Sequence, residues 1–408
     1  MKHLKKLWVQ VIIGLVLGVT AGIVFKEEAE GLKILGKIFI KLIKMVIVPL
    51  IFFALLSGIT SIAEGQDFKS LGIKGFASYM FTAMFAVIIG LVTGVIFKPG
   101  EGVDLSALSS GATPTATTPP SAMEFLLNLI PSNPVEAMAS GNFLQLIVFT
   151  IFTGVTINLI GDKARAAKQV IDSSAQIMFQ MIGAIVKLAP YGVFGFIASV
   201  VGTQGIEVLE SLGKLIVAVM AACVFQYIIF GVMLLFIGRV NPIPFYKKMV
   251  FTQSLAFATS SSKATLSTAM EQLQTRLGVS RTSTNFLLPL GACINMDGTA
   301  IYLGIVAVFF AQAFGVTLET HDYLMLVLTC TLGSIGAAGI PSGSIIFMGM
   351  VLTSVGLPLE GIALILGIDR ILDMVRTTIN ITGDSTITLM VDSTEGTLDE
   401  KLYYSKDV

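Results

Sequence analysis

Apolar runs long enough to cross a bilayer recur from one end of the chain to the other. A hydrocarbon core of roughly 30 Å takes about 20 helical residues. Segments 7–25, 34–62, 75–97, 122–160, 166–201 and 215–237 meet that demand, and four more apolar segments follow Pro244. With 54% hydrophobic and 13% charged residues and a mean hydropathy of +0.86, the chain is far from the balance of a soluble domain. The fold class this dictates is an all-α polytopic membrane protein, because a helix satisfies its own backbone hydrogen bonds where no water can. A cleaved leader is the competing reading of residues 7–25. That run exceeds an ordinary leader core, however, and Lys33 opens another apolar stretch instead of a hydrophilic domain.

Charge is balanced, 26 basic against 26 acidic residues, and no basic cluster with interleaved aromatics points to nucleic acid. The distribution of charge orients the chain, since positive residues collect in short cytoplasmic loops. Lys2, Lys5 and Lys6, then Lys69 and Lys74, then Lys163, Arg165 and Lys168, then Arg239, Lys247 and Lys248 fall on one side when crossings are counted. Both termini are therefore expected in the cytoplasm, and the protein in the cell (inner) membrane. Lys37, Lys41 and Lys44 form a basic helix face better suited to snorkelling toward headgroups than to an ion path. Residues 101–120 are rich in Ser, Thr, Ala, Gly and Pro and read as an exposed external linker. Cys223, Cys293 and Cys330 show no CxxC spacing, and His3 and His321 lie far apart, so neither a disulfide framework nor a histidine metal cluster is expected.

The last third departs from plain spanning helices. Thr259-Ser260-Ser261-Ser262-Lys263 interrupts an apolar segment that begins near Lys247 and Lys248 and returns to Arg276 and Arg281. This is a re-entrant hairpin, tolerable only where protein or water surrounds its tip. The next helix is interrupted by Asn295-Met296-Asp297-Gly298-Thr299, and residues 333–344 are too rich in Gly and Pro for one continuous helix. They read as a second hairpin, dipping from the outside. A hairpin plus an interrupted helix is thus followed by a hairpin plus a polar helix in opposite orientation, a pattern that places a transporter's binding site near the midplane.

Asp369, Asp373, Arg376, Thr377, Asn380 and Asp384 fall within an arc of about 100° when each residue turns about 100°. Each charge costs roughly 2.5 to 3.5 kcal/mol at a helix centre, so this face lines a cavity or a protein interface. Simple pairing of Arg376 with Asp373 or Asp369 is the bland alternative, and it leaves Thr377 and Asn380 unexplained. The planar fork of Arg376 suits a carboxylate and Asp373 suits an ammonium group, which together describe an amino acid with an acidic side chain. Asp373 also argues against simple dicarboxylates, which bring it no ammonium partner. Asp297 and Asp384, with Asn295 and Asn380 near them in sequence, form an all-oxygen set for a hard cation. A carboxylate helix cap is the alternative for Asp297.

The Asn295–Thr299 motif, the serines at 260–262, Gly339-Ile340-Pro341, Asp373-Met374-Val375-Arg376-Thr377 and Ile130-Pro131-Ser132-Asn133-Pro134 together resemble the dicarboxylate/amino acid:cation symporter family. That family includes archaeal sodium/aspartate symporters and animal excitatory amino acid transporters. The resemblance implies a homotrimer of eight transmembrane helices plus two re-entrant helical hairpins per chain, in which a transport domain slides like an elevator against a trimeric scaffold. It divides the chain into scaffold helices at 1–69, a transport-domain helix at 70–98, an extracellular linker at 99–121, scaffold helices at 122–203, the rest of the transport domain at 204–397 and a cytoplasmic tail at 398–408.

By the same resemblance, the substrate's side-chain carboxylate meets Arg376, Thr299 and the Ser344 amide. Its α-amino group meets Asp373 and backbone at Ser260 and Ile340, its α-carboxylate meets Asn380 and the Ser262 amide, and Thr377 belongs to the same motif. One sodium site uses Asp384 with carbonyls of Gly291, Asn295 and Asn380. A second uses backbone of Cys293, Ser334, Ile335 and Ala337 with the Met296 sulfur, and a third uses Tyr79, Thr82, Asn295 and Asp297. The implied substrates are L-aspartate and L-glutamate, taken up with two or three sodium ions and no organic cofactor; a proton-coupled glutamate/aspartate symporter or a neutral amino acid symporter is the alternative.

Four positions depart from the family pattern. Ala83 lacks a hydroxyl that the family often gives the third sodium. Leu303 stands where animal relatives carry a glutamate linked to proton and potassium coupling, so no potassium countertransport is expected. Arg370 resembles the animal arrangement and is expected to pair with Asp369, whereas archaeal relatives carry an arginine where this chain has Ser260. Lys263 at the hairpin tip has no counterpart in the pattern. It raises one rival reading, an intramembrane hydrolase in which Lys263 activates a serine at 260–262, but no oxyanion donors or leaving-group acid accompany it. An uncoupled channel with a polar helix face lining its pore is the other rival.

Overall fold

The computed structural model describes residues 7–60, 69–105, Leu127, 130–205, 207–336 and 344–405, and every regular element among them is a helix. Lys2, Lys5, Lys6, linker residues 106–126, Ala337 and Ile340 lie outside the described residues. Helix α1 (Leu7–Phe25) passes through a 3₁₀ turn, Lys26–Leu32, into α2 (Lys33–Thr60), and α3 (Lys69–Phe97) precedes the linker. Segment 122–160, expected as one apolar run, holds two separate helices among its described residues, α4 (Pro134–Ser140) and α5 (Phe143–Ile160). Asn133 caps α4 through its side chain, and Gly141 ends it at φ +70° before Asn142 caps α5. Segment 166–201 likewise splits into α6 (Arg165–Val186) and α7 (Ala189–Gln204). Pro190 falls in the first turn of α7, where a missing N–H costs nothing, so the break precedes it.

After α8 (Glu207–Phe236) come the interrupted elements. Helices α9 (Pro242–Thr259) and α10 (Ser262–Thr275) form the first hairpin. Ser260 turns the chain in the left-handed region, φ +51°, and Ser261 caps α10 by accepting from the Ala264 amide. Helices α11 (Arg281–Ile294) and α12 (Asp297–Ala313) are the two halves of the broken helix, separated by Asn295 and Met296. Helices α13 (Thr320–Gly336) and α14 (Ser344–Ser354) come before and after residues 337–343, where the expected second tip lies outside the described residues; α15 (Ile362–Thr394) is the polar helix, and α16 (Glu400–Tyr403) lies in the tail.

Among the described residues, five stretches are long and apolar enough to cross a membrane: 9–60, 71–97, 145–186, 208–236 and 281–313. In the last of these, 94% of the most apolar window is buried, against 22–44% in the others. The α11–α12 pair is therefore enclosed by protein, which is what an interrupted backbone needs inside a bilayer. Phe152, Leu159 and Phe236 are instead 69%, 82% and 73% exposed, side chains that belong in lipid.

Helices α1, α2, α5, α6 and α7 pack chiefly on one another, and α3 with α8–α15 pack chiefly around α12 and α15. In the first set, a Cβ added at Gly14, Gly18 or Gly22 would lie 2.4, 2.8 or 2.8 Å from the carbonyl oxygens of Pro190, Phe194 or Ala198. Small residues every fourth position let α1 and α7 touch backbone to backbone, the packing that replaces the hydrophobic effect in lipid.

Candidate functional site

The polar face of α15 is buried along its whole length: Asp369, Asp373, Arg376, Thr377, Asn380 and Asp384 are all enclosed. Arg376 is 1% exposed and holds the upper end together. Its Nη1 and Nη2 both donate to Asp369 Oδ1 at 3.0 Å, and Nη2 also donates to Asp373 Oδ1 at 3.1 Å and Ser344 Oγ at 2.9 Å. The guanidinium carbon lies 3.9 Å from the centroid of the Tyr302 ring, a cation–π contact in a dry setting. The Arg376 Nε–H is buried without a hydrogen-bond partner among the described residues. Thr377 and Ser262 are buried, and so is Ser260, whose hydroxyl also lacks a partner among the described residues.

The expected Asp369–Arg370 pair is not what forms. Asp369 goes to Arg376, while Arg370 reaches Asp373 at 3.8 Å. Helical geometry explains the exchange: neighbours in sequence diverge by about 100°, whereas positions seven apart return to within about 20° of one face. Lys263 is exposed, and its ammonium lies 5.8 Å from the Phe179 ring centroid on α6.

The break between α11 and α12 brings the motif at 295–299 against α15. A Cβ on Gly298 would sit 2.5 Å from the Arg376 carbonyl oxygen, so only glycine admits this approach. The Gly298 amide, left unpaired at the start of α12, donates to Asn380 Oδ1 at 2.8 Å. Asn380 Nδ2 donates to Thr299 Oγ1 at 3.5 Å, and the Thr299 hydroxyl points to Met296 Sδ at 3.9 Å.

One turn further along α15 lies an oxygen-rich pocket. Asn295 Nδ2 donates to Asp384 Oδ1 at 3.0 Å, and the Thr82 hydroxyl donates to Asn295 Oδ1 at 3.2 Å. The Tyr79 hydroxyl donates to the Leu287 carbonyl at 2.9 Å, and both it and Asp384 Oδ1 would lie within 3 Å of a Cβ on Gly291. Gln226 Nε2, from α8, donates to Asp297 Oδ2 at 3.4 Å. Asp384 Oδ2 and Asp297 Oδ1 remain buried with no hydrogen-bond partner among the described residues. An anionic oxygen stripped of water and of donors is costly, and a hard cation is the species that relieves it. The donor set, two carboxylates with amide, hydroxyl and carbonyl oxygens, fits that chemistry.

The expected sites thus separate into groups. Asp373, Arg376 and Ser344 touch, Thr299, Met296 and Asn380 touch, and Tyr79, Thr82, Gly291, Asn295 and Asp384 meet around one pocket with Asp297 beside them. Of the second sodium set, Cys293 is partly buried and the Ser334 hydroxyl donates to the Thr331 carbonyl, while Ala337 is outside the described residues and Ile335 is described only as the penultimate residue of α13. Tyr302 and Gln226 escaped sequence reasoning. The only signal was a lone polar group in a long apolar run, and a run of that kind does not say which neighbour the group meets.

Buried charge on a discontinuous helical core, enclosed by helices that face lipid, defines a multi-pass membrane transporter and not an enzyme. A family model for the sodium:dicarboxylate symporter family matches residues 7–394, and the chain belongs to that family. It is 32% identical to the proton/sodium-glutamate symport protein of Geobacillus stearothermophilus, over 98% of this chain and 97% of that one. It is 33% identical to the C4-dicarboxylate transport protein of Bacillus subtilis, over 98% and 96%, and 35% identical to the C4-dicarboxylate transport protein of Pseudomonas syringae pv. tomato, over 97% and 87%.

Proposed function

We propose that the chain takes up acidic amino acids, aspartate or glutamate, in symport with sodium ions. The observation that carries the substrate assignment is the charge arithmetic around Arg376, where one buried guanidinium serves two carboxylates, Asp369 and Asp373. A substrate side-chain carboxylate that takes over the Arg376 Nη2 and Nε donors releases Asp373 from it. Asp373 then meets the substrate's ammonium group, so the incoming zwitterion replaces one ion pair by two. The sodium assignment is supported by the partnerless oxygens of Asp297 and Asp384.

The two packing sets support an elevator reading, with α1, α2 and α5–α7 as scaffold and α3 with α8–α15 as the moving body. On this reading the protein is a homotrimer in the cell membrane with cytoplasmic termini, and the Lys44–Glu360 ion pair, 3.3 Å, crosses the sliding boundary.

A second reading, uptake of C4-dicarboxylates, is favoured by one contact. Arg370 lies 3.8 Å from Asp373 and offsets the charge that would otherwise repel a second substrate carboxylate. One experiment separates the two: uptake of radiolabelled aspartate, glutamate and succinate into proteoliposomes, with sodium, proton and potassium gradients imposed one at a time. Accumulation of aspartate or glutamate driven by sodium, with succinate a poor competitor and no response to potassium, is the expected result. Succinate accumulation with no amino-acid uptake overturns the substrate assignment, and a response to protons alone overturns the coupling ion.

A further inference from the structure

Gln226 is the one buried polar side chain of the oxygen-rich pocket that lies on α8 and outside every motif of the sequence. It is 0% exposed, and its amide nitrogen donates to Asp297 Oδ2 at 3.4 Å. Its carbonyl oxygen, Oε1, is buried with no hydrogen-bond partner among the described residues. Asp297 Oδ1 and Asp384 Oδ2 are in the same condition among the described residues. A buried acceptor without a donor is retained where something else satisfies it.

The backbone is shaped to bring α8 close. A Cβ on Gly383 of α15 would lie 2.9 Å from Asp297 Oδ2, 2.9 Å from the Phe230 ring and 3.1 Å from Asn295 Nδ2. Phe230 stands four residues after Gln226, on the same face of α8. Glycine at 383 therefore lets α8, α15 and the α11–α12 break converge on Asp297.

We infer that Gln226 is a cation ligand of the Asp297 pocket, its Nε2–H fixing the Asp297 carboxylate while its Oε1 supplies a neutral oxygen to the ion. A neutral amide is the right complement there. It adds a hard donor without adding a third negative charge to two buried carboxylates, and its two ends do opposite work, one donating to the anion and one accepting the cation. The inference rests on the sodium-symport reading above, and the test keeps the two apart.

The measurement is the thermal midpoint of the purified full chain during a sodium chloride titration at constant ionic strength in choline chloride, repeated for Gln226→Met and Gln226→Glu. The wild-type chain is expected to gain stability with sodium; no gain overturns the sodium-symport reading itself. Gln226→Met keeps the length and loses both polar atoms, and the sodium concentration for half-maximal stabilisation is expected to rise about tenfold while the midpoint in choline alone falls little. A wild-type response with an unchanged sodium midpoint in Gln226→Met overturns the role of Gln226 and leaves the symport reading standing. Should Gln226→Met fail to fold, Gln226→Glu decides the matter. An added anionic oxygen is expected to lower the sodium midpoint several-fold, and an unchanged midpoint overturns the inference.

Discussion

Replacing Arg376 by cysteine separates two consequences that the structure assigns to one side chain. The first is stability. Arg376 makes three hydrogen bonds to Asp369 and Asp373, which are 2% and 7% exposed, and its loss leaves both carboxylates buried without their main cation. Breaking a buried pair from one side costs about 3 to 5 kcal/mol. Adding Asp369→Asn removes the carboxylate that takes two of those bonds, while Asp373 retains Arg370 at 3.8 Å. The double variant should therefore recover most of the lost thermal stability. The second consequence is selectivity. Two charge-assisted hydrogen bonds to a substrate carboxylate are worth about 1.5 to 3 kcal/mol each, so the preference for aspartate over a neutral amino acid of similar size should fall by on the order of 10² to 10⁴. The assay is competition of serine against radiolabelled aspartate in proteoliposomes, with melting curves on the same preparations. An unchanged aspartate preference in a folded Arg376→Cys/Asp369→Asn chain refutes the assignment of Arg376 to the substrate. Equal stability of the single and double variants refutes the ion-pair account.

Gly298→Ala places a methyl group 2.5 Å from the Arg376 carbonyl oxygen and 2.8 Å from its Cα, backbone that cannot swing aside, so the site must open. Overpacking of this kind costs about 1 to 3 kcal/mol, and calorimetry should read at least a tenfold loss of aspartate affinity. Asp384→Asn should abolish most of the sodium-dependent thermal stabilisation while leaving the chain folded in choline, since a neutral amide no longer demands a cation; full retention of the sodium response excludes Asp384 as a ligand. Lys248, 4% exposed, donates to the carbonyls of Arg276, Leu402 and Tyr403 and to the Ser405 hydroxyl, tying the tail to the base of the first hairpin. Lys248→Met should release residues 399–405 to fast amide exchange, at a cost of about 1.5 to 3 kcal/mol for a charged hydrogen bond.

The interrupted elements were legible because their signals are local. Serine repeats and the 295–299 motif forbid a continuous helix whatever surrounds them, and α9–α12 break where those signals stand. The buried face of α15 was legible because charge in an apolar chain is costly. What the residues alone hid depends on packing between distant segments. Segment 166–201 read as one apolar run, yet it divides before Pro190, in the first turn of α7. The sequence left Asp369 between two partners, its neighbour Arg370 and Arg376 seven residues on, and helical phase selects Arg376. Gln226 and Tyr302 carry no pattern in sequence, and their importance comes from which side chain another helix brings beside them.

Coupling an amino acid to a cation requires that each change what the other finds, and that needs a physical connection between their pockets. The path here is short. Gly298 presses against the Arg376 backbone and donates to Asn380, while its chain neighbours in the same break, Asn295 and Asp297, carry the polar groups of the cation pocket. The break is not held by intrahelical hydrogen bonds alone, so its geometry depends on side chains from both pockets: Asn380 on one side, Asp384 and Thr82 on the other. A cation that draws Asp384, Asn295 and Asp297 together fixes the Gly298 amide and the Asn380 orientation that the substrate meets. A chain with Asn380→Ala should keep both pockets but weaken their linkage. Sodium would then still stabilise it, while the sodium-induced gain in aspartate affinity, measured by calorimetry at low and high sodium, would shrink toward unity. A gain equal to that of the unaltered chain would mean that coupling runs by another route, through the second hairpin, with Ser344 at its edge bonded to Arg376.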